Sequence, residues 1–551
     1  MIARILVALV ILLLSALTYP GALVVGLATR FSPEQSAQPG PVGKLPWLHV
    51  AHPQGERPYI ADDQGRMVLL HGAIPAGLLQ YGPFTVLPFP NDPAAYDQDR
   101  CPAAAGWSPY PPLCRSDLQQ MSALGFNSIR LPISWSLLEP ERGRFDETYL
   151  DRISQVVQWA RDLGMYVIID MHQNAFSQFV ANKDGDGVNR RYNSGAPRWA
   201  TITDGLPSFA IQGQRELNPA VFQATTNFWY DRDGIQDEYI AAVAHVAHRF
   251  KNDSTVAGYG IYNEPWFGWN LPPGFDDLLL FPFYRRVIDA ITGVHDGLPC
   301  WSGFFMPAVC GYRDLGVGDR RHLMFIDTGL LREVTDFPTH LGLPVSSYPN
   351  VVLALHPYTH IYTFDYFLRL PRSSYPWGGY DQGWDSAERE ARAMDAALFV
   401  EEFGDNPGDD ASILQSQLLE EEKHRTGFAF WTWAETDGTW GMIQSSSGCM
   451  RRNREGMLAR VYPRASADSH LTFHYEPQTG AFTLAASGRS GDASTLVYIP
   501  PEVRGDILVS GGAGALTAAN DDGSRLVTVS PKGGPFTVSV APHALGLTGC
   551  A

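Results

Sequence analysis

Eight short runs of apolar and β-branched residues recur along the chain, and each has the length of a strand that is buried on both faces. A polar side chain closes most of the runs, and longer stretches of mixed polarity separate them. The runs are Arg66–Gly72, Phe126–Pro132, Met165–Met171, Val256–Tyr262, Pro299–Phe305, Val351–His356, Ala397–Glu402 and Gly427–Trp433. We therefore expect eight buried parallel strands.

Several of the stretches between these runs are predicted helices, and the one at residues 235–251 has apolar positions at helical spacing. The predicted helices are Asp117–Leu124, Glu147–Leu163, Ile235–Lys251, Phe275–Thr292, Ser386–Ala396 and Ser412–His424. Eight strands that alternate with helices predict an α/β fold, a (β/α)8 TIM barrel.

From about residue 465 the helical spacing disappears, and short alternating runs such as Leu471–Tyr475 and Phe536–Val540 follow. Turn sequences such as Asp521-Asp522-Gly523 separate these runs, as in antiparallel sheets. We therefore predict a small C-terminal antiparallel β-sandwich at residues 465–551, after a barrel domain at residues 46–464.

The N-terminal segment has no charged residue from Ile5 to Ala28, which predicts a signal peptide or an uncleaved membrane anchor at residues 1–28. Residues 29–45 then form a linker. Export makes disulfides expected, and proximity pairs Cys101 with Cys114 and Cys300 with Cys310, which leaves Cys449 and Cys550. A secreted or extracellular protein, with membrane anchoring as the alternative, follows from this segment.

The charge balance restricts the partners. With 41 basic and 58 acidic residues, the formal net charge is −17, which argues against nucleic acid or anionic lipid head groups held by charge. We expect no nucleic acid partner.

Candidate chemistry is concentrated where the apolar runs end. In a (β/α)8 barrel the functional groups lie at the carboxyl ends of the strands. The polar and aromatic residues at these positions are Arg130, His172, Asn263, Glu264, His356, Tyr358, Glu402, Trp431 and Trp433. Any one of them has an ordinary structural interpretation, but the set as a whole indicates a site.

Glu264 and Glu402 are the predicted catalytic pair. Cleavage of a glycosidic bond needs one carboxyl group that lends a proton and one that stays ionised and attacks the anomeric carbon. We assign Glu264 as acid/base and Glu402 as nucleophile. Since successive side chains of a strand alternate, Glu401 is expected to face outward or to support the site from behind; a slip of one residue would exchange the two roles.

The remaining strand-end residues are predicted to bind substrate or to support the pair. Arg130 and Tyr358 are expected beside Glu402, Asn263 beside a sugar 2-hydroxyl, and His172 and His356 beside other hydroxyls. Trp431 is favoured over Trp433 as the floor under the reactive sugar. The histidine spacings match no zinc motif, and Asp184-Gly185-Asp186-Gly187 is interpreted as a surface loop, so we predict neither metal nor cofactor.

This set resembles that of family 5 glycoside hydrolases, and further segments resemble the bacterial endoglycoceramidase branch. The latter segments are Asp170-Met171-His172-Gln173, Gly195-Ala196-Pro197-Arg198-Trp199-Ala200, Asn227-Phe228-Trp229 and Tyr259-Gly260-Ile261-Tyr262-Asn263-Glu264-Pro265. The resemblance implies hydrolysis, with retention, of the β-bond between a glycan and ceramide. Asn174 departs from the pattern, since the family usually has Asp there, and this puts the exact glycan in doubt.

Two alternatives stay open beside a glycosphingolipid hydrolase. One is a retaining β-glucosidase or endoglucanase that acts on a simple glucolipid or a soluble β-glucan. The other is an inactive sugar- or lipid-binding protein. A ceramide substrate requires an apolar surface and allows transient contact with lipid aggregates or membranes. Trp266-Phe267-Gly268-Trp269 is the expected surface, whereas residues 278–283 either meet lipid or pack in the core.

Overall fold

The computed structural model describes most of the chain from residue 45 onward. The described residues are 45–79, 110–180, 195–211, 214–270, 272–295, 297–300, 307–358, 380–405, 412–435, 440–444 and 448–550. The predicted N-terminal segment, nearly all of the linker and the Asp184–Gly187 loop lie outside them. Among the described residues, no helix combines the length and the apolar character that crossing a bilayer requires.

Nineteen strands occur in the part of the chain that the structure describes. They are β1 (Leu48–Ala51), β2 (Tyr59–Asp62), β3 (Met67–Val68), β4 (His71–Ala73), β5 (Ser128–Ile133), β6 (Tyr166–Met171), β7 (Val256–Gly260), β8 (Leu323–Asp327), β9 (Val351–Leu355), β10 (Ala397–Phe403), β11 (Gly427–Phe430), β12 (Ile443–Gln444), β13 (Cys449–Met450), β14 (Tyr462–Ser466), β15 (Thr472–Glu476), β16 (Ala481–Gly488), β17 (Thr495–Ile499), β18 (Ile507–Ala519) and β19 (Arg525–Val540).

The helices of the same ranges follow most of the barrel strands. The α-helices are α1 (Arg115–Ala123), α2 (Trp135–Leu138), α3 (Glu147–Asp162), α4 (Pro219–Trp229), α5 (Ile235–Phe250), α6 (Pro272–Phe275), α7 (Phe281–Thr292), α8 (Leu330–Glu333), α9 (Tyr380–Met394), α10 (Ser412–His424) and α11 (Arg452–Leu458). A π-helical turn at Asp276–Leu280 joins α6 to α7, and 3-10 turns lie at Ala76–Leu79, Gln178–Val180, Arg198–Ala200 and Arg232–Gly234.

Strands β4 to β11 are parallel and close into a barrel, in which β11 pairs with β4. Residues of these strands are buried throughout, which explains why the strands read as continuous apolar runs. Helix α3 shows how the outer layer forms: the Asp146 side chain accepts from the Tyr149 N–H at 3.1 Å, and Ile153 and Val157 face the core. The predicted (β/α)8 barrel is confirmed.

The fifth barrel strand was predicted at the wrong place. It is Leu323–Asp327, not Pro299–Phe305, and the described part of the latter segment, residues 299–300, is not in a strand. Leu323-Met324-Phe325-Ile326 is a buried apolar run that Asp327 closes, in keeping with the pattern of the other strands. The segment 299–305 contains Cys, Trp and Phe, but serine and glycine interrupt it. Glycine weakens a strand because it has no side chain to pack.

The first predicted run, Arg66–Gly72, is divided between two sheets. Residues 67–68 form β3, which pairs with β14 of the C-terminal region, and only β4 enters the barrel. The antiparallel sheet of the C-terminal strands therefore also contains β1 to β3 from the N-terminal side of the barrel. The exact domain boundaries stay a prediction.

Two disulfides lie among the described residues, Cys300–Cys310 and Cys449–Cys550. The first agrees with the proximity pairing, and the second joins the two cysteines that this pairing left over. Cys101 lies outside the described residues, so its partner stays a prediction.

Candidate active site

The predicted site residues lie together at the carboxyl end of the barrel, because parallel strands in a closed sheet all end on the same face. Arg130 belongs to β5, His172 follows β6, Asn263 and Glu264 follow β7, His356 and Tyr358 follow β9, Glu402 belongs to β10, and Trp431 follows β11. Hydrogen bonds, ion pairs and ring contacts connect these residues into one site.

Glu264 and Glu402 come close enough for both to act on one sugar. One carboxylate oxygen of each, together with one ring nitrogen of His356, forms a group of atoms that all lie within 4.8 Å of one another. Retaining glycosidases have their carboxyl groups about 5–5.5 Å apart, whereas inverting enzymes need about 6.5–9.5 Å. The spacing is therefore that of a retaining pair.

Arg130 is the cation at the centre of the site, and its side chain is completely buried. Its Nη1 donates to Glu402 Oε2 at 2.7 Å, and its Nη2 donates to Asn263 Oδ1 at 2.7 Å. Asp170 Oδ1 lies 3.1 Å from Nη2 and Glu401 Oε1 lies 3.3 Å from Nε. Burial acts to lower the pKa of Arg130, but the charges of these three carboxyl groups raise it well above its usual value, so the guanidinium stays charged.

Glu402 receives a second hydrogen bond from the Tyr358 hydroxyl, at 3.0 Å from Oε1. Both carboxylate oxygens are thus held by donors, Arg130 on one side and Tyr358 on the other. This arrangement fixes the orientation of the carboxylate.

Of the two expectations for Glu401, facing outward or supporting the site from behind, the structure shows the second. Its side chain is buried, and it lies beneath Glu402 against the same guanidinium. The pairing of β10 with β11 shifts register between Val400 and Phe403, so simple alternation does not hold there. Gly260 makes room for Glu401: a Cβ at that position would lie 2.9 Å from Glu401 Oε1.

Glu264 has the surroundings of a proton donor. Its side chain is 19% exposed, against 8% for Glu402, so it reaches the cleft while much of it is shielded from water. Burial raises the pKa of Glu264 above its ordinary value, against the opposing charges of His172, Arg215 and Arg130. A carboxyl group with a raised pKa is suited to protonate a leaving oxygen.

His356 lies between Glu264 and a further buried carboxyl group. Its Nδ1 is 3.1 Å from Glu264 Oε1, and its Nε2 is 3.5 Å from Asp327 Oδ2. Burial lowers the pKa of His356 to about 3, so the ring is neutral at ordinary pH. The predicted sugar-binding histidine therefore contacts the acid itself.

His172 lies on the opposite side of Arg130, in a chain of polar contacts. Its Nδ1 is 2.9 Å from Asp170 Oδ2, and its Nε2 is 3.0 Å from Asn174 Nδ2. Arg215 in turn donates to Asn174 Oδ1 at 2.7 Å. Burial acts to raise the pKa of Asp170, but the charge of Arg130 and the His172 hydrogen bond bring it below its usual value.

Asn263 is held by two partners that fix the loop after β7. Besides accepting from Arg130, its Nδ2 donates to the Gln173 carbonyl at 2.9 Å, and Gln173 Nε2 donates back to the carbonyl of Asn263 at 2.7 Å. Within the described residues, the second N–H of Nδ2 has no acceptor.

The two tryptophans after β11 have different surroundings. Trp431 is half-buried, with its ring parallel to that of His172 at a centroid distance of 5.7 Å and edge-on to Tyr110 at 5.8 Å. Trp433 is 1% exposed, and its Nε1 donates to Asp117 at 2.9 Å. Trp431 is thus the one whose ring lies beside His172, and its role as the floor under the sugar stays a prediction.

The sequence did not predict that four further residues contribute to the site. They are Asp327, Asp170, Asn174 and Arg215. Asp327 ends the strand that was placed at the wrong segment, so the rule that polar residues close barrel strands was not applied to it. Arg215 lies in a loop without a recognisable pattern, and its contact with Asn174 and its charge beside Glu264 place it at the site.

The apolar segment 278–283 does not meet lipid, because Leu278, Leu280 and Phe283 are each less than 5% exposed. It packs in the core as part of the helical segment that begins at Pro272. Of the four residues after Glu264-Pro265, Trp266 and Phe267 are half-buried and Trp269 is 53% exposed.

A closed (β/α)8 barrel with two carboxyl groups at this distance on its carboxyl face defines a glycoside hydrolase. Residues 101–296 match the family model for cellulase, glycosyl hydrolase family 5. The likeness to this family thus covers the part of the barrel that carries Arg130, His172, Asn263 and Glu264.

Relatives of known activity extend the likeness beyond this domain. The chain is 25% identical to endoglycoceramidase I of Rhodococcus hoagii (strain 103S) over 88% of this chain and 87% of that protein. The crystal structure of an endogalactoceramidase is 28% identical, with a TM-score of 0.68 over 90% of this chain and all of that chain. Endo-glycoceramidase II from Rhodococcus sp. in complex with ganglioside GM3 shares the fold at 23% identity, with a TM-score of 0.68 over 88% of this chain and 99% of that one.

Proposed function

We propose that the protein hydrolyses the β-glycosidic bond between the glycan and the ceramide of glycosphingolipids, with retention at the anomeric carbon. The observation that carries this proposal is the retaining distance between Glu264 and Glu402, with the guanidinium of Arg130 against the latter. The likeness to endoglycoceramidases along most of the chain supports a glycolipid as substrate.

In the first step, Glu402 attacks the anomeric carbon while Glu264 transfers its proton to the glycosidic oxygen. The bond to ceramide breaks, ceramide leaves as an alcohol, and the glycan is bound covalently to Glu402. Trp431 supports the reactive sugar from below, and the N–H of Asn263 strengthens its bond to the 2-hydroxyl as positive charge develops on the ring.

In the second step, the ionised Glu264 removes a proton from water, and the oxygen of that water attacks the anomeric carbon. Glu402 leaves as a carboxylate, which Arg130 and Tyr358 stabilise. The glycan departs with its original β configuration, and Glu264 has regained its proton.

The test is hydrolysis of a panel that contains a ganglioside, a galactosylceramide, glucosylceramide and a soluble β-glucan, with products analysed by mass. Release of intact glycan and ceramide is expected. Sugar released only from the β-glucan would instead favour the glucanase alternative, and no hydrolysis of any substrate would favour a binding protein. Glu402→Ala and Glu264→Ala should each reduce hydrolysis of the glycolipid by about a hundredfold or more.

We further propose transient contact with lipid aggregates through an exposed apolar residue near the cleft. Trp269 is 53% exposed, and it lies in the loop that follows β7 and carries Glu264. Exposed apolar residues near a site for lipid substrates are suited to a micelle or vesicle surface.

Replacing Trp269 by serine tests this contact. We expect slower hydrolysis of glycolipid presented in vesicles and an unchanged rate on a short-chain, water-soluble glycoside. Leu508→Ser/Leu516→Ser, which changes two exposed leucines of β18 in the C-terminal sheet, is the control. Equal rates for all variants on vesicles would contradict the proposal.

We also propose that the protein is secreted, with membrane anchoring through residues 1–28 as the alternative. The two disulfides support an oxidising compartment. Recovery of the protein from the culture medium, with N-terminal sequencing, would show secretion and cleavage, whereas recovery in membranes with an intact N-terminus would show an anchor.

A further inference from the structure

Asp327 touches the catalytic acid from two directions, although nothing in the reaction described above uses it. Its Oδ2 accepts the backbone N–H of Glu264 at 2.9 Å. The same oxygen is 3.5 Å from Nε2 of His356, whose Nδ1 contacts the Glu264 carboxyl group. Asp327 is 2% exposed, so it supports the site from below and does not reach a bound sugar.

The backbone contact matters because Glu264 has a strained conformation. Its φ is 42°, in the left-handed region that residues with a side chain seldom adopt. Such a conformation persists only where the surroundings hold it. The hydrogen bond to Asp327 is made at the strained residue itself, so it is suited to hold the acid in the direction of the cleft.

Asp327 also has a buried acidic neighbour. Three atoms here all lie within 4.8 Å of one another: one oxygen of Asp327, one oxygen of Glu401 and one ring nitrogen of His356. Burial and the nearby charge of Glu401 raise the pKa of Asp327 well above its ordinary value. Two buried carboxyl groups at this distance avoid a double negative charge by sharing one proton.

We propose that Asp327 is a positioning residue for Glu264, which holds the backbone of Glu264 and lies against the ring of His356. This inference rests on the proposed function only in that Glu264 is the proton donor. With one proton between Asp327 and Glu401, Asp327 keeps an acceptor oxygen for the Glu264 N–H without placing a full negative charge beside the acid.

The test compares two leaving groups. Ceramide is a poor leaving group that needs the proton of Glu264, whereas dinitrophenolate leaves unprotonated. For Asp327→Ala we expect kcat on the glycosphingolipid to fall by about a hundredfold with little change in KM, as for loss of general acid catalysis. The burst of dinitrophenol from an aryl β-glycoside should stay within about threefold of wild type, since that step needs no acid.

Asp327→Asn provides the rescue, because an amide resembles the protonated carboxyl group and still offers an acceptor oxygen. We expect the kcat of this variant on the glycosphingolipid to be at least about tenfold higher than that of Asp327→Ala. Thr328→Val is the matched control: Thr328 is the next residue, it is buried, and its hydroxyl has no hydrogen-bond partner among the described residues. It should act as wild type on both substrates.

Equal losses on both substrates, or an Asn variant no better than Ala, would overturn the proposal. If Asp327→Ala does not fold, Asp327→Glu takes its place: it keeps the acid but displaces it, and it should lose activity on the glycosphingolipid selectively. A wild type that cleaves only soluble β-glucan would refute the proposed function, and the same comparison of leaving groups would then be made with that glucan.

Discussion

Nη1 of Arg130 donates a 2.7 Å hydrogen bond to Oε2 of Glu402, although 272 residues separate the two in the chain. The guanidinium is completely buried, and it also faces Asp170 and Glu401. One cation therefore balances three carboxyl groups and joins β5, β6 and β10 at the catalytic face.

Removing this cation should destabilise the protein in a way that depends on pH. Arg130→Met leaves buried carboxylates without compensation, and we expect a loss of about 3–5 kcal/mol in unfolding free energy at neutral pH. Asp170, whose pKa Arg130 keeps below its usual value, contributes stability above its unfolded pKa and loses it as pH falls through the folded pKa. The destabilisation measured by urea unfolding should therefore shrink toward acidic pH.

The control for this variant is Arg142→Met, which removes an ion pair with Glu238 whose arginine is 46% exposed. Its effect should stay below about 1 kcal/mol. An equal effect of the two substitutions, or a loss that does not change with pH, would contradict the central role of Arg130.

The pH profile should report the raised pKa of Glu264. The acid form donates the proton, so kcat/KM for a glycosphingolipid is expected to fall on the alkaline side as Glu264 ionises, with a midpoint above about 4.3, the ordinary value for glutamate. The burst of dinitrophenol from an activated aryl glycoside should lack this limb. If the activity on both substrates falls at alkaline pH with the same midpoint, the ionising group is not Glu264.

Alanine variants of the two tryptophans should separate substrate binding from stability. Trp431→Ala is expected to reduce kcat/KM by about tenfold or more, a change of ~1.4 kcal/mol, with little effect on thermal unfolding. Trp433→Ala removes a buried ring and its hydrogen bond to Asp117, and should cost about 3–5 kcal/mol of unfolding free energy. The reverse pattern would show that Trp433 faces the sugar.

Glu421 in α10 is a buried acid far from the site, and neither of its carboxyl oxygens has a hydrogen-bond partner among the described residues. Burial raises its pKa well above the ordinary value, despite the opposing charge of Arg460. A group with a raised folded pKa contributes its full stability below the unfolded pKa and loses it as pH rises through the folded value.

We therefore expect Glu421→Met to increase the unfolding free energy at pH 7–8 by on the order of 1–3 kcal/mol, and by less near pH 4. Asp63→Asn, which changes an exposed carboxylate, is the control and should have almost no effect. A Met variant that is less stable at alkaline pH than wild type would show that the carboxyl group has a stabilising partner.

Much of the site was predictable because its residues follow a rule of the fold. Glu264, Glu402 and Tyr358 each lie at or just after the end of an apolar run, and parallel strands carry such positions to one face, where Arg130 of β5 also projects its side chain. Asp327 follows the same rule, but it was missed together with its strand, since the predicted strand was placed at residues 299–305 instead of Leu323–Asp327.

The sequence by itself determined the alternation of strands and helices, the two glutamates and the tryptophan next to the site, because period, length and residue type are local properties. Only the tertiary structure decided that β3 joins the C-terminal sheet, that Glu401 turns toward Arg130, and that Asp327 holds Glu264. These features depend on a register shift and on contacts between residues distant in sequence. Their energies arise in the packed barrel, where burial and neighbouring charges act together, and no local pattern records them.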